Sequence, residues 1–224
     1  MSKLRAIVAS YVGVLLYASF IFLAAWKLVY WQALLYVVVA LIGTTISNAL
    51  VPRGSDLTAE RASNAAAGQT WDKRLLGAYF LVVVVTFVIA GLDSGRFGWS
   101  GPVPLGVTIA GVILTLLGQI IFAVAKRQNA FFSSTVRIQS ERGQRVCDSG
   151  LYRYVRHPGY LGMLVALLAL PLLINSYWAF VPTAFAAVLL LIRTAIEDKM
   201  LAAELPGYRE YVARTRWRLI PAVF

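Results

Sequence analysis

The stretch YLGMLVALLALPLLINSYWAFVPTAFAAVLLLI, residues 160–192, decides the fold class of this chain. It lies within two apolar runs, at about 159–174 and 178–196, that only the residues NSY separate. A linker this short forces two helices to lie side by side in antiparallel orientation. The stretch therefore predicts a helical hairpin in a membrane, with a short first arm that contains Pro171.

Four further apolar runs precede the hairpin, at about 6–26, 31–51, 74–92 and 103–125. Each has close to the roughly 20 helical residues that cross a hydrocarbon core of about 30 Å. The whole chain of 224 residues is 59% hydrophobic with a mean hydropathy of +0.72. We therefore predict an all-α integral membrane protein with about six transmembrane helices. The first run exceeds a cleavable signal sequence in length, and we expect it to be retained.

The basic residues predict the orientation of these helices. With six spans and both termini in the cytoplasm, 19 of the 21 Lys and Arg residues fall on the cytoplasmic side, and only Lys27 and Arg96 fall outside. Short cytoplasmic loops are enriched in Lys and Arg, so this asymmetry supports the topology. The net charge of +11 is spread between apolar runs, which fits anionic lipid as a partner and excludes a nucleic-acid-binding domain.

Two halves organise the chain: an N-terminal unit, 1–101, with an interfacial loop at 52–73, and a C-terminal unit, 102–224. The polar loop 126–158 mixes aromatic and β-branched residues with glycines, which indicates extended, turning backbone. After the last span the helix pauses at Pro206 and Gly207 and is expected to resume as an amphipathic helix. The single cysteine, Cys147, excludes an intramolecular disulfide and a multi-cysteine metal site, and no metal is expected.

Polar residues cluster at the predicted cytoplasmic ends of the last two helices: Arg156, His157, Tyr160, Arg193, Glu197 and Asp198. Charges at this depth are costly unless they are paired or line a wet cavity, which makes them candidates for function. Taken singly, such residues also serve as interfacial anchors. The i,i+4 spacing of Arg193 and Glu197 predicts a salt bridge on one helix face.

The motifs in this region resemble the isoprenylcysteine carboxyl methyltransferase and phospholipid methyltransferase superfamily. The matching stretches are SGLYRYVRHPGYLG, residues 149–162, and RTAIEDKMLAAELPGYREYVARTRWRLIP, residues 193–221. DLTAER and WDK upstream are similar to prokaryotic members. Two positions depart from the superfamily pattern: Asp198 replaces a second Glu, and Gln144 stands where many members have His.

The resemblance implies a membrane-embedded methyltransferase that binds S-adenosylmethionine with its C-terminal half, at the cytoplasmic face. It implies Arg156 and Glu197 as the catalytic residues. It implies cofactor binding by Val146, Gly150, Tyr152, His157, Pro158, Tyr160, Gly162, Glu197, Asp198 and Tyr208. These residue types also suit the ligand, which needs a cation for its carboxylate, an anion for its ammonium and aromatic walls for its adenine.

Several functions remain open at the level of the sequence. The leading hypothesis is methylation of a carboxylate on an isoprenylcysteine-like or isoprenoid acceptor, a lipophilic or prenylated molecule that enters from the membrane lipids. The alternatives are a phospholipid amine N-methyltransferase, a sterol-reductase-like enzyme that uses NADPH, and a transporter or scaffold. The expected location is a prokaryotic inner or plasma membrane, and the oligomeric state is open.

The predicted topology can be tested by cysteine labelling from the two sides of the membrane. Cysteines introduced at the NSY hairpin and at the C-terminus should react from opposite sides, because one helix separates them. Labelling of both positions from the same side would contradict the six-span arrangement.

Overall fold

The computed structural model describes residues 3–51 and 68–224, and within these ranges the chain is helical and contains no strand. Seven α-helices follow one another along the chain. They are α1, Lys3–Ala25; α2, Trp31–Ala49; α3, Thr70–Ala90; α4, Leu105–Gln128; α5, Pro158–Leu173; α6, Phe180–Glu204; and α7, Tyr208–Arg214. A π-helical segment, Gly91–Phe97, continues α3, so that one continuous helical segment runs over Thr70–Phe97.

Five helices are long and apolar enough to cross a membrane: α1, α2, α3 with its π-helical extension, α4 and α6. Many large apolar side chains on them are exposed, including Leu23 at 66% and Phe185 at 64%. Continuous exposed apolar surface of this kind suits contact with lipid and not with water. The molecule is therefore an integral membrane protein, although α5, with 16 residues, is shorter than the sixth predicted span needs.

The helix boundaries correct several predictions. The third predicted span, 74–92, is part of a longer helix that begins at Thr70, so the predicted loop 52–73 ends earlier, and its residues 52–67 lie outside the described ranges. The predicted loop 126–158 begins as the last turn of α4 and contains two 3₁₀ helices, Ser140–Arg142 and Gly150–Arg153. After Gly207, α7 has only seven residues and buries Tyr208 and Tyr211.

The most extensive packing joins α4 to α5, and small residues make it possible. A Cβ atom at Gly118 would lie 2.5 Å from the carbonyl oxygen of Gly162, and one at Gly111 would lie 2.4 Å from the backbone nitrogen of Leu173. Membrane helices gain little hydrophobic energy from association, so close backbone contact through glycine supplies the attraction. This contact fixes the start of α5, and hence the polar residues around it, against α4.

At the opposite end of the bundle a buried carboxylate ties α3 to the turn between α5 and α6. Asp93, fully buried in the π-helical segment, accepts hydrogen bonds from the Ser176 hydroxyl at 2.6 Å, the Ser100 hydroxyl at 2.5 Å and the Ser100 backbone N–H at 2.7 Å. Buried polar groups in a membrane protein need such internal partners. The α5–α6 turn is therefore held by hydrogen bonds as well as by its short length.

Substitution of Gly118 tests the packing of α4 on α5. Gly118→Ala should lower the thermal unfolding temperature in detergent, because the added methyl overlaps the α5 backbone and overpacking costs about 1–3 kcal/mol. Gly77→Ala is the matched control, since a Cβ at Gly77 meets nothing within 4 Å and alanine favours the helix. Equal unfolding temperatures for the two variants would contradict the close contact.

Candidate functional site

Asp198, near the end of α6, is the centre of a buried cluster of hydrogen bonds. It pairs with Arg156 through two contacts, Nε to Oδ1 at 2.8 Å and Nη2 to Oδ2 at 2.7 Å. Its oxygens also accept bonds from the Tyr208 hydroxyl at 2.9 Å and Arg218 Nε at 2.9 Å, and His157 Nε2 lies 3.1 Å away. Forked contacts between guanidinium and carboxylate are strong and directional. We call these five residues the Asp198 cluster.

The Asp198 cluster joins the start of α5 to the C-terminal tail. Arg156 Nη1 donates to the carbonyl oxygens of Thr215 and Arg216, both at 2.8 Å. In addition, the backbone N–H groups of Arg156 and His157 donate to the carbonyl oxygens of Trp217 and Arg218, both at 2.9 Å. Four of the five guanidinium N–H donors of Arg156 are thus directed at protein oxygens. Its main role is to position the chain.

Protonation states in the cluster follow from burial and from the Asp198 charge. Burial lowers the pKa of Arg156, but the hydrogen bonds and charge of Asp198 outweigh burial and raise that pKa above its ordinary value. Burial and then Asp198 raise the pKa of Tyr208. Arg156 therefore stays charged and Tyr208 keeps its hydroxyl proton, so both donate to Asp198 at neutral pH.

A cavity of about 830 Å³ lies beside the Asp198 cluster, between the loop 129–147 and the ends of α5 and α6. We call it the cytoplasmic-end cavity, after the side on which the sequence places it. Predicted site residues line it: Val146, Tyr152, Arg156, His157, Tyr160, Glu197 and Tyr208. The volume is within the usual range for small-molecule sites.

Four of the predicted site residues do not line this cavity. Asp198 faces the cluster, and Pro158 is the buried first residue of α5. Gly150 starts a 3₁₀ helix with φ of +59°, and Gly162 packs on α4. These residues shape the surroundings of the cavity, and their predicted role in direct cofactor contact stays a prediction.

The neighbours Glu197 and Asp198 face different surroundings because successive helical residues point about 100° apart. Glu197 lines the cytoplasmic-end cavity, where the Tyr160 hydroxyl donates a short hydrogen bond to its Oε2. No other hydrogen bond to Glu197 occurs within residues 3–51 and 68–224. Glu197 is therefore the acid of this pair that can bind a ligand.

Arg193 pairs with Asp72 of α3 and not with Glu197, so the predicted i,i+4 salt bridge is wrong. Its Nε donates to Asp72 Oδ1 at 2.6 Å, and its Nη2 donates to Asp72 Oδ2 at 3.2 Å and to the Ser134 carbonyl at 3.0 Å. Asp72, fully buried, also accepts the backbone N–H of Val136 at 2.8 Å. A buried carboxylate from another helix is a better partner than a neighbour already bonded to Tyr160. The only signal for Asp72 in the sequence is the short WDK motif.

A second cavity, of about 1,090 Å³, lies deeper in the helix bundle among α1 to α6. We call it the membrane cavity. Apolar side chains such as Leu76, Phe122 and Met163 line it, together with Arg193 and several uncharged polar residues. Phe132, Ser133 and Tyr160 line both cavities, so the two spaces meet at these residues. Sequence reasoning assigned no site to the first four helices, and its only available signal was polar residues inside apolar runs.

The geometry revises the expectation that Arg156 can be removed without effect on folding. Arg156→Ala leaves the buried Asp198 without its bidentate partner, and loss of one member of such a pair costs about 3–5 kcal/mol. Thermal unfolding should therefore show a large loss of stability for Arg156→Ala and little change for Glu197→Gln, which keeps the size of the side chain. Equal stability of the two variants would contradict a structural role for Arg156.

Comparison with known proteins agrees with the motifs. Among curated proteins the chain is similar to the cobalt-zinc-cadmium resistance protein CzcN of Cupriavidus metallidurans, with 32% identity over 140 residues, 59% of this chain and 58% of that protein. It is also similar to the delta(14)-sterol reductase TM7SF2 of Mus musculus, with 29% identity over 137 residues, 55% of this chain and 33% of the reductase. The lamin-B receptor of Drosophila melanogaster is 31% identical over 101 residues, 43% of this chain and 14% of the receptor.

The chain therefore spans just over half the length of the first of these relatives and a third or less of the other two. The model of the isoprenylcysteine carboxyl methyltransferase (ICMT) family matches residues 111–203, which include α5, nearly all of α6 and most of α4. The two cavities are lined largely from this segment and from the helices around it. Over residues 111–203 the chain belongs to the isoprenylcysteine carboxyl methyltransferase family, as its C-terminal motifs predicted.

Proposed function

We propose that this protein is an S-adenosylmethionine-dependent methyltransferase that methylates a carboxylate on a lipophilic, isoprenoid or isoprenylcysteine-like acceptor. The observation that carries the proposal is the meeting of two cavities of different character at Phe132, Ser133 and Tyr160. One holds charged and aromatic side chains, and the other is largely apolar and lies among the membrane helices. A polar cofactor and a lipid acceptor could each enter from its own solvent and meet at Tyr160.

The cytoplasmic-end cavity offers the groups that S-adenosylmethionine needs. Glu197 supplies a carboxylate for the ammonium group, and Tyr152, Tyr208 and Phe131 supply aromatic walls. The cation for the ligand carboxylate is better assigned to Arg145, which is exposed at the rim, than to Arg156, whose donors are directed at Asp198 and the tail. The residue types present thus fit the cofactor, with one role reassigned.

The protein has little chemistry to perform beyond alignment and desolvation. S-adenosylmethionine supplies a methyl group on a sulfonium, and transfer forms a C–O bond to the acceptor as the C–S bond breaks. The acceptor carboxylate is already ionised at neutral pH, so no general base is required. Transfer joins a cation to an anion and neutralises both charges, so a site shielded from water suits it.

Arg193 favours a carboxylate acceptor over an amine. It lines the membrane cavity, and its guanidinium lies over the Tyr160 ring at 5.1 Å, next to the junction of the two cavities. Asp72 and Ser134 take Nε and Nη2, and Nη1 makes no hydrogen bond to any described residue. This free edge can orient a carboxylate oxygen, whereas an amine acceptor would need a hydrogen-bond acceptor at the same place.

A second candidate is an NADPH-dependent reductase. The similarity to a sterol reductase favours it, and so do Arg137 and Arg145 at the cytoplasmic-end cavity, since paired arginines suit a 2′-phosphate. Against it, Glu197 faces the same cavity and suits an ammonium. Equilibrium binding of both cofactors to the purified protein separates the two candidates.

The cellular setting of the proposal comes from the charge distribution. We infer a prokaryotic inner or plasma membrane, with both termini and the cofactor cavity on the cytoplasmic side, where Lys and Arg are concentrated. The cofactor would then arrive from the cytoplasm and the acceptor from the lipid.

Glu197 gives the sharpest test of the proposal. Labelled methyl groups from S-adenosylmethionine should appear in an acid-lipid fraction when the purified protein is incubated with a membrane lipid extract. Glu197→Gln should reduce cofactor affinity or turnover about tenfold to a hundredfold, the worth of one charge-assisted hydrogen bond. Glu204→Gln, at the exposed end of the same helix, should leave both unchanged.

Two results would contradict the proposal. Wild-type affinity and turnover for Glu197→Gln would show that the carboxylate is not part of the site. Tight binding of NADPH with no binding of S-adenosylmethionine would favour the reductase instead. Label in an amine lipid and not in an acid would replace the carboxylate by an amine acceptor.

A further inference from the structure

The membrane cavity contains a group of uncharged polar side chains to which the proposed methyl transfer assigns no role. They are Ser10 of α1; Thr44, Ser47 and Asn48 of α2; and Gln119 of α4. Polar side chains at membrane depth are costly unless they are paired. Most of this group has partners, because Asn48 Nδ2 donates to Ser10 Oγ at 3.1 Å and Lys126 Nζ donates to Ser47 Oγ at 3.3 Å.

Gln119 differs because its carboxamide makes no hydrogen bond to any described residue. Its Oε1 is buried and has no donor, while the side chain lines the membrane cavity. A primary carboxamide carries two donors and an acceptor, and leaving them unused in a membrane costs free energy. An unsatisfied polar group of this kind calls for an explanation, and a bound ligand provides one.

The neighbouring helix makes room for this side chain. A Cβ atom at Gly43 of α2 would lie 1.9 Å from Oε1 of Gln119 and 2.2 Å from its Cδ. Any residue but glycine at position 43 would therefore displace the carboxamide from its place. Glycine within a helix lowers helix stability relative to alanine, so the space at position 43 has a cost that a binding role for Gln119 would explain.

The position of Gln119 relative to the junction of the cavities sets which part of an acceptor it can reach. Gly118 packs directly on Gly162, which follows Tyr160 by two residues on α5. Two residues of helical rise correspond to about 3 Å, so Gln119 lies roughly that much deeper in the bundle than Tyr160. A group bonded to Gln119 would be a few bonds from an acceptor carboxylate held at Tyr160 and Arg193.

We propose that Gln119, accommodated by Gly43, is a specificity-determining residue that recognises an amide group on the acceptor, a few bonds from the carboxylate that is methylated. An amide is the complementary partner, because it both donates to and accepts from a carboxamide. The acceptor class is then an amphiphile with a carboxylate, a neighbouring amide and a long apolar tail. This inference rests on the proposed function and adds the recognition of the second polar group.

Two probes that differ in that amide test the inference: N-acetyl-S-farnesylcysteine and S-farnesylthiopropionic acid. Both have the carboxylate, the thioether and the same tail, and only the first has the amide. The full chain in nanodiscs is examined by equilibrium binding of each tritiated compound, without cofactor, and by kcat/KM for methylation. The wild-type protein should bind the amide compound about tenfold more tightly than the amide-free compound, which corresponds to roughly 1.4 kcal/mol.

Gln119→Leu should abolish this preference by weakening only the binding of the amide compound. Thr115→Val is the matched control, since Thr115 lies about one turn away on α4 and also has a buried, unpartnered hydroxyl, but does not line the membrane cavity. It should keep the wild-type preference. Should Gln119→Leu fail to accumulate, Gly43→Ala provides the same test, because it displaces the carboxamide without removing it.

The outcomes separate this inference from the proposed function. An unchanged preference in Gln119→Leu, an equal loss for both compounds, or no binding of either compound overturns the role of Gln119. Methylation of both compounds without a preference that depends on Gln119 also overturns it and leaves the methyltransferase proposal in place. A Gln119-dependent preference in binding without any methyl transfer supports the inference and contradicts the proposed function.

Discussion

The buried carboxylate of Asp198 is the interaction on which the candidate site depends. It accepts hydrogen bonds from Arg156 at the start of α5, Tyr208 of α7 and Arg218 of the tail, and thereby joins three separate segments to α6. Without a cation on each side, a carboxylate at this depth would be too costly to keep. The same pairs bring the loop before α5 and the C-terminal tail together, and with them the walls of the cytoplasmic-end cavity.

A second buried pair, Asp72 with Arg193, performs the corresponding task on the membrane side. It connects α3 to α6 and, through Ser134 and Val136, fixes the loop that separates the two cavities. Arg193 thus both holds the bundle together and presents its remaining edge toward Tyr160. Each half of the site is built around one buried acid and one arginine, and Glu197, which stands between them, is left available for a ligand.

The sequence was sufficient for the membrane helices, for the family and for the clustering of polar residues where α5 begins and α6 ends, because these depend on local hydropathy and on motifs. It was not sufficient for the partners of Arg193 and Arg156. Asp72 lies 121 residues before Arg193, and only tertiary packing brings them together. The separate roles of the neighbours Glu197 and Asp198 also depend on which face of α6 meets the tail. Gln119 has a meaning only once Gly43 is seen beside it.

The central claim is that a cofactor and a lipid meet at Tyr160 from two different cavities. A structure determined with S-adenosylhomocysteine and a lipid acid tests it most directly. The account predicts that the cofactor product lies between the loop 144–162 and the end of α6, with its sulfur close to Tyr160 and its ammonium on Glu197. The lipid carboxylate should lie beside Arg193, with the tail in the membrane cavity. S-adenosylhomocysteine bound among α1, α2 and α3 would contradict the account.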